Sequence, residues 1–231
     1  MGSPIRAAII GCGLIGHKRA EALSGAVVTV CCDLNLERAL SLAEKYGARA
    51  TVDWQEAVSS GDVDVVFVAT THDVLPQVAE RAAAAGKHVL LEKPGARRAI
   101  ELEPVKAAAA RSGALVRIGF NHRYHRAFRK AREIFGSGAL DDLMFVRARY
   151  GHGGRLGYEH EWRANPAISG GGEGIDQGMH LIDLARWFCG DFTHVQGYAA
   201  TYYWDMPVDD LLFLSAPHSE GSNSLPPREL H

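Results

Sequence analysis

The chain has 231 residues, 47% of them hydrophobic and 23% charged, with a formal net charge of −2. This is globular composition with apolar side chains enough for a sizeable core, and the near-balance of charge argues against nucleic acid or an anionic membrane as partner. No apolar stretch approaches the ~20 residues of a membrane span, and the opening MGSPIRAAII runs into a strand where a signal peptide would need distinct basic, apolar and small-residue regions.

Taken in chain order, apolar runs at Ile5–Ile10, Ala26–Cys32, 63–69, His88–Leu91 and 115–120 alternate with segments of helical period at 14–24, 35–46, 74–85 and 99–111. A shorter unit, 49–52 followed by Trp54–Ser59, fits between the second and fourth runs. Continuous Val/Ile/Leu runs are the mark of strands covered on both faces, and strand alternating with helix predicts a parallel sheet built of βαβ units. The basic run 123–132 (RYHRAFRKAR) reads as an amphipathic helix with a solvated charged face. After residue 140 the pattern changes. The alternation of 143–150 predicts a strand with one wet face, a loop rich in Gly, His and Arg follows to about 168, then a helix at 175–188 and a strand-like run at 194–204. Residues 215–231 (SAPHSEGSNSLPPRELH) offer little to bury and read as a disordered tail that adds no ordered sheet. The predicted class is α/β, with a doubly wound parallel Rossmann sheet over 1–122. An incomplete α+β domain with antiparallel strands follows over 123–214, then the tail over 215–231.

Cys12, Cys31, Cys32 and Cys189 show no metal-ligand spacing and read as buried, reduced thiols of a cytoplasmic protein.

Three clusters carry chemistry. In GCGLIG, Gly11 permits a tight turn, Gly13 lets the backbone approach a pyrophosphate, and Gly16 lets helix and strand pack closely. Leu14 and Ile15 sit in the same loop, at a helix N-terminus whose N–H groups and dipole favour phosphate. Asp33 ends the next strand, where a carboxylate accepts ribose hydroxyls and repels a 2′-phosphate. NAD is therefore favoured over NADP, with Arg38 the nearest cation that would accommodate the latter. The second cluster is Glu92-Lys93-Pro94, at the carboxyl end of a strand, where open α/β sheets bind ligands; Pro94 fixes the turn and is a candidate for a cis bond. The third is GGGEGIDQGMHLID, which places Asp176, His180 and Asp183 on one helical face after a triple glycine. A structural histidine beside a helix-terminal Asp is the alternative there, and a metal pair has no third ligand of suitable spacing.

Together GCGLIGHKRA, CCDLNLERA, VATTHD, GKHVLLEKP, GFNHRY, the EWRANP loop and the GGG…DQGMH helix resemble, in order, the glucose–fructose oxidoreductase / inositol dehydrogenase (Gfo/Idh/MocA) family over residues 5–214. The resemblance implies a nicotinamide-dependent enzyme that oxidises or reduces a secondary alcohol of a sugar, sugar derivative or cyclic polyol. By position it implies that Lys93 lies between nicotinamide and substrate, that His180 is the general base or acid, and that Asp176 contacts substrate and orients the histidine. It further implies that Thr70, His72, Glu92, Lys93 and Asn121 border the cofactor and that Trp162 and Arg163 reach it from the second domain. Arg155, Tyr158, His160 and Glu161 are candidate substrate contacts. The implied partner is a small sugar or polyol, without nucleic acid or membrane, and the family's open sheet suggests a homo-oligomer. Two departures stand out. Thr70-Thr71-His72 replaces the usual Thr-Pro-Asn, with Leu75 where a histidine is usual, and the family likeness stops at Leu214, so a shortened second domain is expected. A non-catalytic dinucleotide sensor, an inactive truncated member and a cofactor-retaining glycoside hydrolase remain open at this point.

Overall fold

The computed structural model describes residues 3–141, 143–151 and 154–218. The chain divides into two compact units. The first is Met1–Gly119 together with Ala167–Gly170, and the second is Phe120–Pro166 together with Gly171–His231.

The first unit carries six strands, β1 (Ile5–Ile10), β2 (Ala26–Cys32), β3 (Arg49–Thr51), β4 (Val65–Val68), β5 (His88–Leu91) and β6 (Val116–Ile118). They form one sheet in the order β3-β2-β1-β4-β5-β6, every pairing parallel. Between them run α1 (Leu14–Glu21), α2 (Leu36–Tyr46), α3 (Trp54–Ser59), α4 (Leu75–Ala84) and α5 (Glu103–Ser112). Alternate residues of a strand face opposite sides of a sheet. Ala8 and Ile10 accordingly join one buried cluster with Val66, Leu75 and Leu91, while Ile9 joins another with Cys31 and Leu42. The doubly wound reading is correct.

Local chemistry sets the element ends. Asn35 accepts the backbone N–H groups of Glu37 and Arg38 (3.0 and 3.3 Å) and starts α2, and Gly47 at φ 62° ends it. Asp53 caps α3 in the same way through Gln55 and Glu56. At the amino ends of the two central strands, the Arg6 guanidinium grips Asp64 at 3.0 and 2.7 Å, tying the start of β1 to the residue before β4.

A piece of chain remote in sequence also belongs to this unit. The single helical turn Pro166–Ser169 brings the Ser169 carbonyl to 2.8 Å from Nδ1 of His72, a residue only 3% exposed. The Arg97 guanidinium donates to the Ala167 carbonyl, and Gly170, at φ +81°, passes so close to Arg97 that a Cβ there would overlap it.

The second unit holds α6 (Arg126–Gly136), short 3-10 turns at Tyr158–His160 and Trp162–Ala164, a π turn at Gly174–Gly178 that runs into α7 (Met179–Cys189), and one antiparallel pair, β7 (Gln196–Ala200) with β8 (Leu211–Ser215). Three expectations are corrected here. Residues 143–150 form no strand and have no ladder partner among the described residues, and without a partner a strand's backbone groups go unsatisfied. The run 194–204 is a strand only over Gln196–Ala200. Beyond it the Asp210 carboxylate accepts the N–H groups of Tyr202, Tyr203 and Trp204 (2.9, 2.7 and 3.0 Å) and curls the chain into turns. The tail was expected to add no sheet, yet Ser215 pairs with Gln196 and His218 bridges to Phe192. Residues 219–231 lie outside the described residues.

Candidate functional site

In the first unit the strand order reverses between β1 and β4, and in such sheets the crevice at the carboxyl ends of those two strands is where ligands bind. Gly11 leaves β1 at φ +95°, and a Cβ there would fall on the Ala69 carbonyl at the end of β4. A Cβ on Gly16 would fall on the Gly11 carbonyl, whereas one on Gly13 would meet nothing within 4 Å. Two glycines thus close the turn, and the third leaves open space at the mouth of α1. That helix begins at Gly13 with no side-chain cap and no acidic residue in its first turn, so its amide dipoles face outward to an anion. Leu14 and Ile15 form the first turn, with Leu14 71% exposed.

Asp33, just past β2, accepts the Cys12 N–H at 2.8 Å through one carboxylate oxygen and the Asn35 N–H at 2.9 Å through the other. A carboxylate has about four acceptor sites, so the two bonds that orient it leave capacity for a ribose diol. These residues fit a dinucleotide by the shape of the cradle and the charge of its rim.

Two of the neighbouring thiols are held in the protonated form. The Cys12 thiol, hydrogen-bonded to Cys31 and buried, is pushed well above the usual thiol range. Burial beside Asp33 pushes Cys32 up to about 12. All four cysteines are free and buried.

At the end of β5, Glu92 accepts from Nε of Arg19 on α1 at 2.5 Å, an ion pair largely out of solvent. The pair steadies the turn that carries Lys93, where the Lys93–Pro94 bond is cis, as the sequence suggested. Thr70 and Thr71 follow β4. The Thr71 hydroxyl donates to Asp73 at 2.7 Å, and His72 is turned toward Ser169 as described above.

The second unit holds the other group of predicted residues. Asp176 (5% exposed), His180 (6%) and Asp183 (8%) are all buried along the π turn and α7. The triple glycine is explained by Asp209, just before β8. Its carboxylate accepts the N–H groups of Gly172 and Gly174 at 2.8 and 2.7 Å, and a Cβ on Gly172 would fall on its carbonyl. Each acid of the face has an arginine. Arg163 donates through Nε to Asp176 at 3.2 Å and through Nη1 to Glu161 at 3.3 Å, and it lies over the Trp162 ring. Arg123 holds Asp183 with two bonds of 2.7 and 2.5 Å. The His122 ring stacks on His180 with centroids 4.0 Å apart, and Tyr150 meets both rings edge-on. Asn121, beside it, is exposed.

The loop residues differ among themselves. Tyr158 is core, its hydroxyl donating to Glu173 at 3.2 Å, and burial raises its pKa. Arg155 is paired with Glu161, and the His160 side chain is 83% exposed.

Sequence reasoning passed over Arg19, His122, Arg123 and Asp209. His122 and Arg123 lie inside GFNHRY, but their basic neighbours hid them in a helix face. Arg19 and Asp209 act on residues far along the chain, and nothing local announces that.

Known proteins bear on these two groups of residues. The family model described as "Oxidoreductase family, NAD-binding Rossmann fold" matches residues 5–120, and "GFO/IDH/MocA C-terminal domain" matches residues 128–222. The chain is 29% identical over 182 residues to levoglucosan dehydrogenase of Pseudarthrobacter phenanthrenivorans, covering 78% of this chain and 47% of the relative. It is 30% identical over 190 residues to inositol 2-dehydrogenase of Salmonella paratyphi B, covering 79% of this chain and 54% of that one. The chain thus spans about half the length of these curated relatives. Among solved structures, GenD2 from gentamicin A biosynthesis in complex with NAD superposes with a TM-score of 0.82 at 26% identity, covering 96% of this chain and 64% of that one.

Proposed function

The chain belongs to the Gfo/Idh/MocA oxidoreductase family, and from that premise we propose that it is a dehydrogenase moving hydride between NAD and a secondary alcohol of a sugar, sugar derivative or cyclic polyol. Its N-terminal unit is an NAD-binding Rossmann domain. The observation that carries the proposal is the buried face of Asp176 and His180, an acid and an imidazole one helical turn apart, each held by a named neighbour.

Gly11, Gly13 and Gly16 with the first turn of α1 would hold the pyrophosphate, and Asp33 the adenosine ribose. Nicotinamide, when bound, supplies the hydride chemistry. Everything else falls to side chains. The His180 imidazole takes the hydroxyl proton during oxidation and returns it during reduction, since its ordinary pKa lies in the range where both forms are accessible. Asp176, fixed by Arg163, orients the histidine and accepts from a substrate hydroxyl. Lys93, steadied by the Arg19–Glu92 pair, donates to the substrate oxygen. Trp162, Thr70 and Asn121 are assigned to the walls of the cofactor site on family position, and so, against the grain of its bond to Ser169, is His72.

Levoglucosan and inositol are the substrates in the names of two relatives and set the first panel to try. We also propose a cytoplasmic location, supported by four reduced thiols, and self-association through the second unit, supported by exposed Tyr203 and Phe213.

The test mixes the protein with NAD and a panel of levoglucosan, myo-inositol and simple glucosides and follows reduced nicotinamide. Lys93→Ala and His180→Ala should each lower turnover by at least ~10²-fold, the usual loss of general acid–base help, with NAD binding kept. Unchanged turnover in either variant removes that residue from the mechanism. Asp33→Ala should narrow the preference for NAD over NADP, and a wild-type preference for NADP would refute the ribose assignment.

A further inference from the structure

We propose that Asp209 is a positioning residue for the reaction, holding from outside the turn that carries Asp176 and leads into the helix of His180. The inference rests on reading Asp176 and His180 as the groups that meet the substrate. Its ground is that three successive backbone N–H groups end on this one residue. Gly172 donates to Oδ1 at 2.8 Å, Glu173 to the main-chain carbonyl at 2.8 Å and Gly174 to Oδ2 at 2.7 Å.

The first N–H groups of a helix have no partner within it and are commonly met by a side chain at the cap position. Glu173 stands in that position and its side chain makes no such bond. Asp209, remote in sequence, does the capping instead. The segment has particular need of it. Gly174–Gly178 is a π turn, a form that is rare and found mostly as single turns, and glycine weakens any helix it joins. The glycines are there because the chain of β8 comes so close. A Cβ on Gly172 would fall on the Asp209 carbonyl. One on Gly174 would stand 3.0 Å from Cδ2 of Leu212, and one on Gly178 would stand 3.4 Å from the same methyl. The turn is therefore gripped twice, by Asp209 at its start and by Leu212 along its length.

From Asp209 to the backbone of the candidate acid is a path of two hydrogen bonds. Oδ1 accepts the Gly172 N–H, and the Gly172 carbonyl accepts the Asp176 N–H at 3.0 Å. His180 follows one helical turn later in the same continuous run. The place of Asp209 thus sets the place of both groups. A displacement of about 1 Å is enough to cost a reaction ~10²-fold, so a loosened start of the turn lowers turnover while the glycine cradle of the first unit still binds NAD.

The test compares two neighbouring carboxylates. Asp209→Ala removes the cap, and Asp209→Asn, which keeps one acceptor, serves should the first variant fold poorly. Asp210→Ala is the control, since its carboxylate also caps backbone N–H groups, but those of Tyr202, Tyr203 and Trp204. Histidine-labelled protein is followed by NMR, with His180→Ala identifying the His180 resonance, and amide exchange is read over 172–176. In Asp209→Ala the resonance should move and exchange should quicken several-fold, and in Asp210→Ala neither should change. With a sugar accepted in the panel, kcat should fall by up to ~10²-fold in Asp209→Ala and less in Asp209→Asn, with the Kd for NAD unchanged. A His180 resonance unmoved in both Asp209 variants overturns the proposal. So does full turnover in Asp209→Ala, or an equal response in Asp209→Ala and Asp210→Ala, which would mark a general loss of fold. Undiminished turnover in His180→Ala overturns instead the assignment of the base.

Discussion

The two units hide their apolar side chains to very different degrees. In the first, Ile9, Leu42, Leu75 and Leu91 are 0% exposed, on both faces of a six-stranded sheet. In the second, the one cluster of buried apolar residues found among the described residues is Tyr158, Ala164, Met206 and Val208, while Phe145 (70%), Tyr203 (80%) and Phe213 (67%) face outward. A parallel sheet sandwiched by helices is closed by its own connections. A two-stranded ladder has one layer and stands only as firmly as what packs on it. The second unit compensates with charge, setting Arg123, Arg163, Asp209 and Asp210 to pin segments around that small cluster.

If this contrast is right, substitutions of similar size should have unequal costs. Leu91→Ala should destabilise the protein by ~2–5 kcal/mol, the range for a deleted core leucine. Phe213→Ser, at an exposed site, should stay within ~0.5 kcal/mol. Urea unfolding of the two variants measures both, and equal losses would break the comparison. Thiol alkylation would sharpen it. Cys12, Cys31 and Cys32 lie in the first unit and Cys189 in the second, all buried and three of them with pKa values raised by burial or by a buried hydrogen bond. Native-state labelling read by mass spectrometry should mark Cys189 several-fold sooner, because local opening is easier where fewer apolar contacts resist it. Equal rates would mean that the chain opens as a whole.

The smallest effect concerns acid. The Arg6 guanidinium and backbone hold the Asp64 carboxyl well below the usual carboxylate range. A depressed native pKa contributes stability that is present above the unfolded value and lost as pH falls below it. Asp64→Asn should therefore lower thermal stability slightly at neutral pH and leave it unchanged in strong acid, which flattens the acid limb. The pair is open to water, so the difference is slight. A limb of unchanged slope would remove Asp64 from the first unit's acid response.

How much of this was legible in the sequence follows the same division. The strands β1, β2, β4 and β5 of the first unit were readable because each is a run made up mostly of aliphatic residues, and that signal is local. In the second unit the strand expected at 143–150 has the right alternation but no partner, and alternation alone cannot say whether one exists. The strand expected to reach 204 stops at Ala200 because Asp210 captures three backbone N–H groups, a cause that lies beyond the segment itself. The site shows the same limit. Gly11, Asp33, Lys93, Asp176 and His180 were visible as motif residues, whereas Arg19, Asp209 and His122 matter through what they touch.

The turn that carries Ser169 has a consequence for biosynthesis. His72 is buried early in the chain, yet the carbonyl that meets its Nδ1 comes from Ser169, and Arg97 likewise waits for Ala167. Domains generally fold as they leave the ribosome, N-terminal part first. Here the first unit cannot be finished when Gly119 emerges, because its last pieces are translated only after much of the second unit. Until Gly170 has been made, the nascent chain carries a nearly complete nucleotide-binding fold without the turn that His72 and Arg97 meet, which makes that interval the natural one for chaperones to attend.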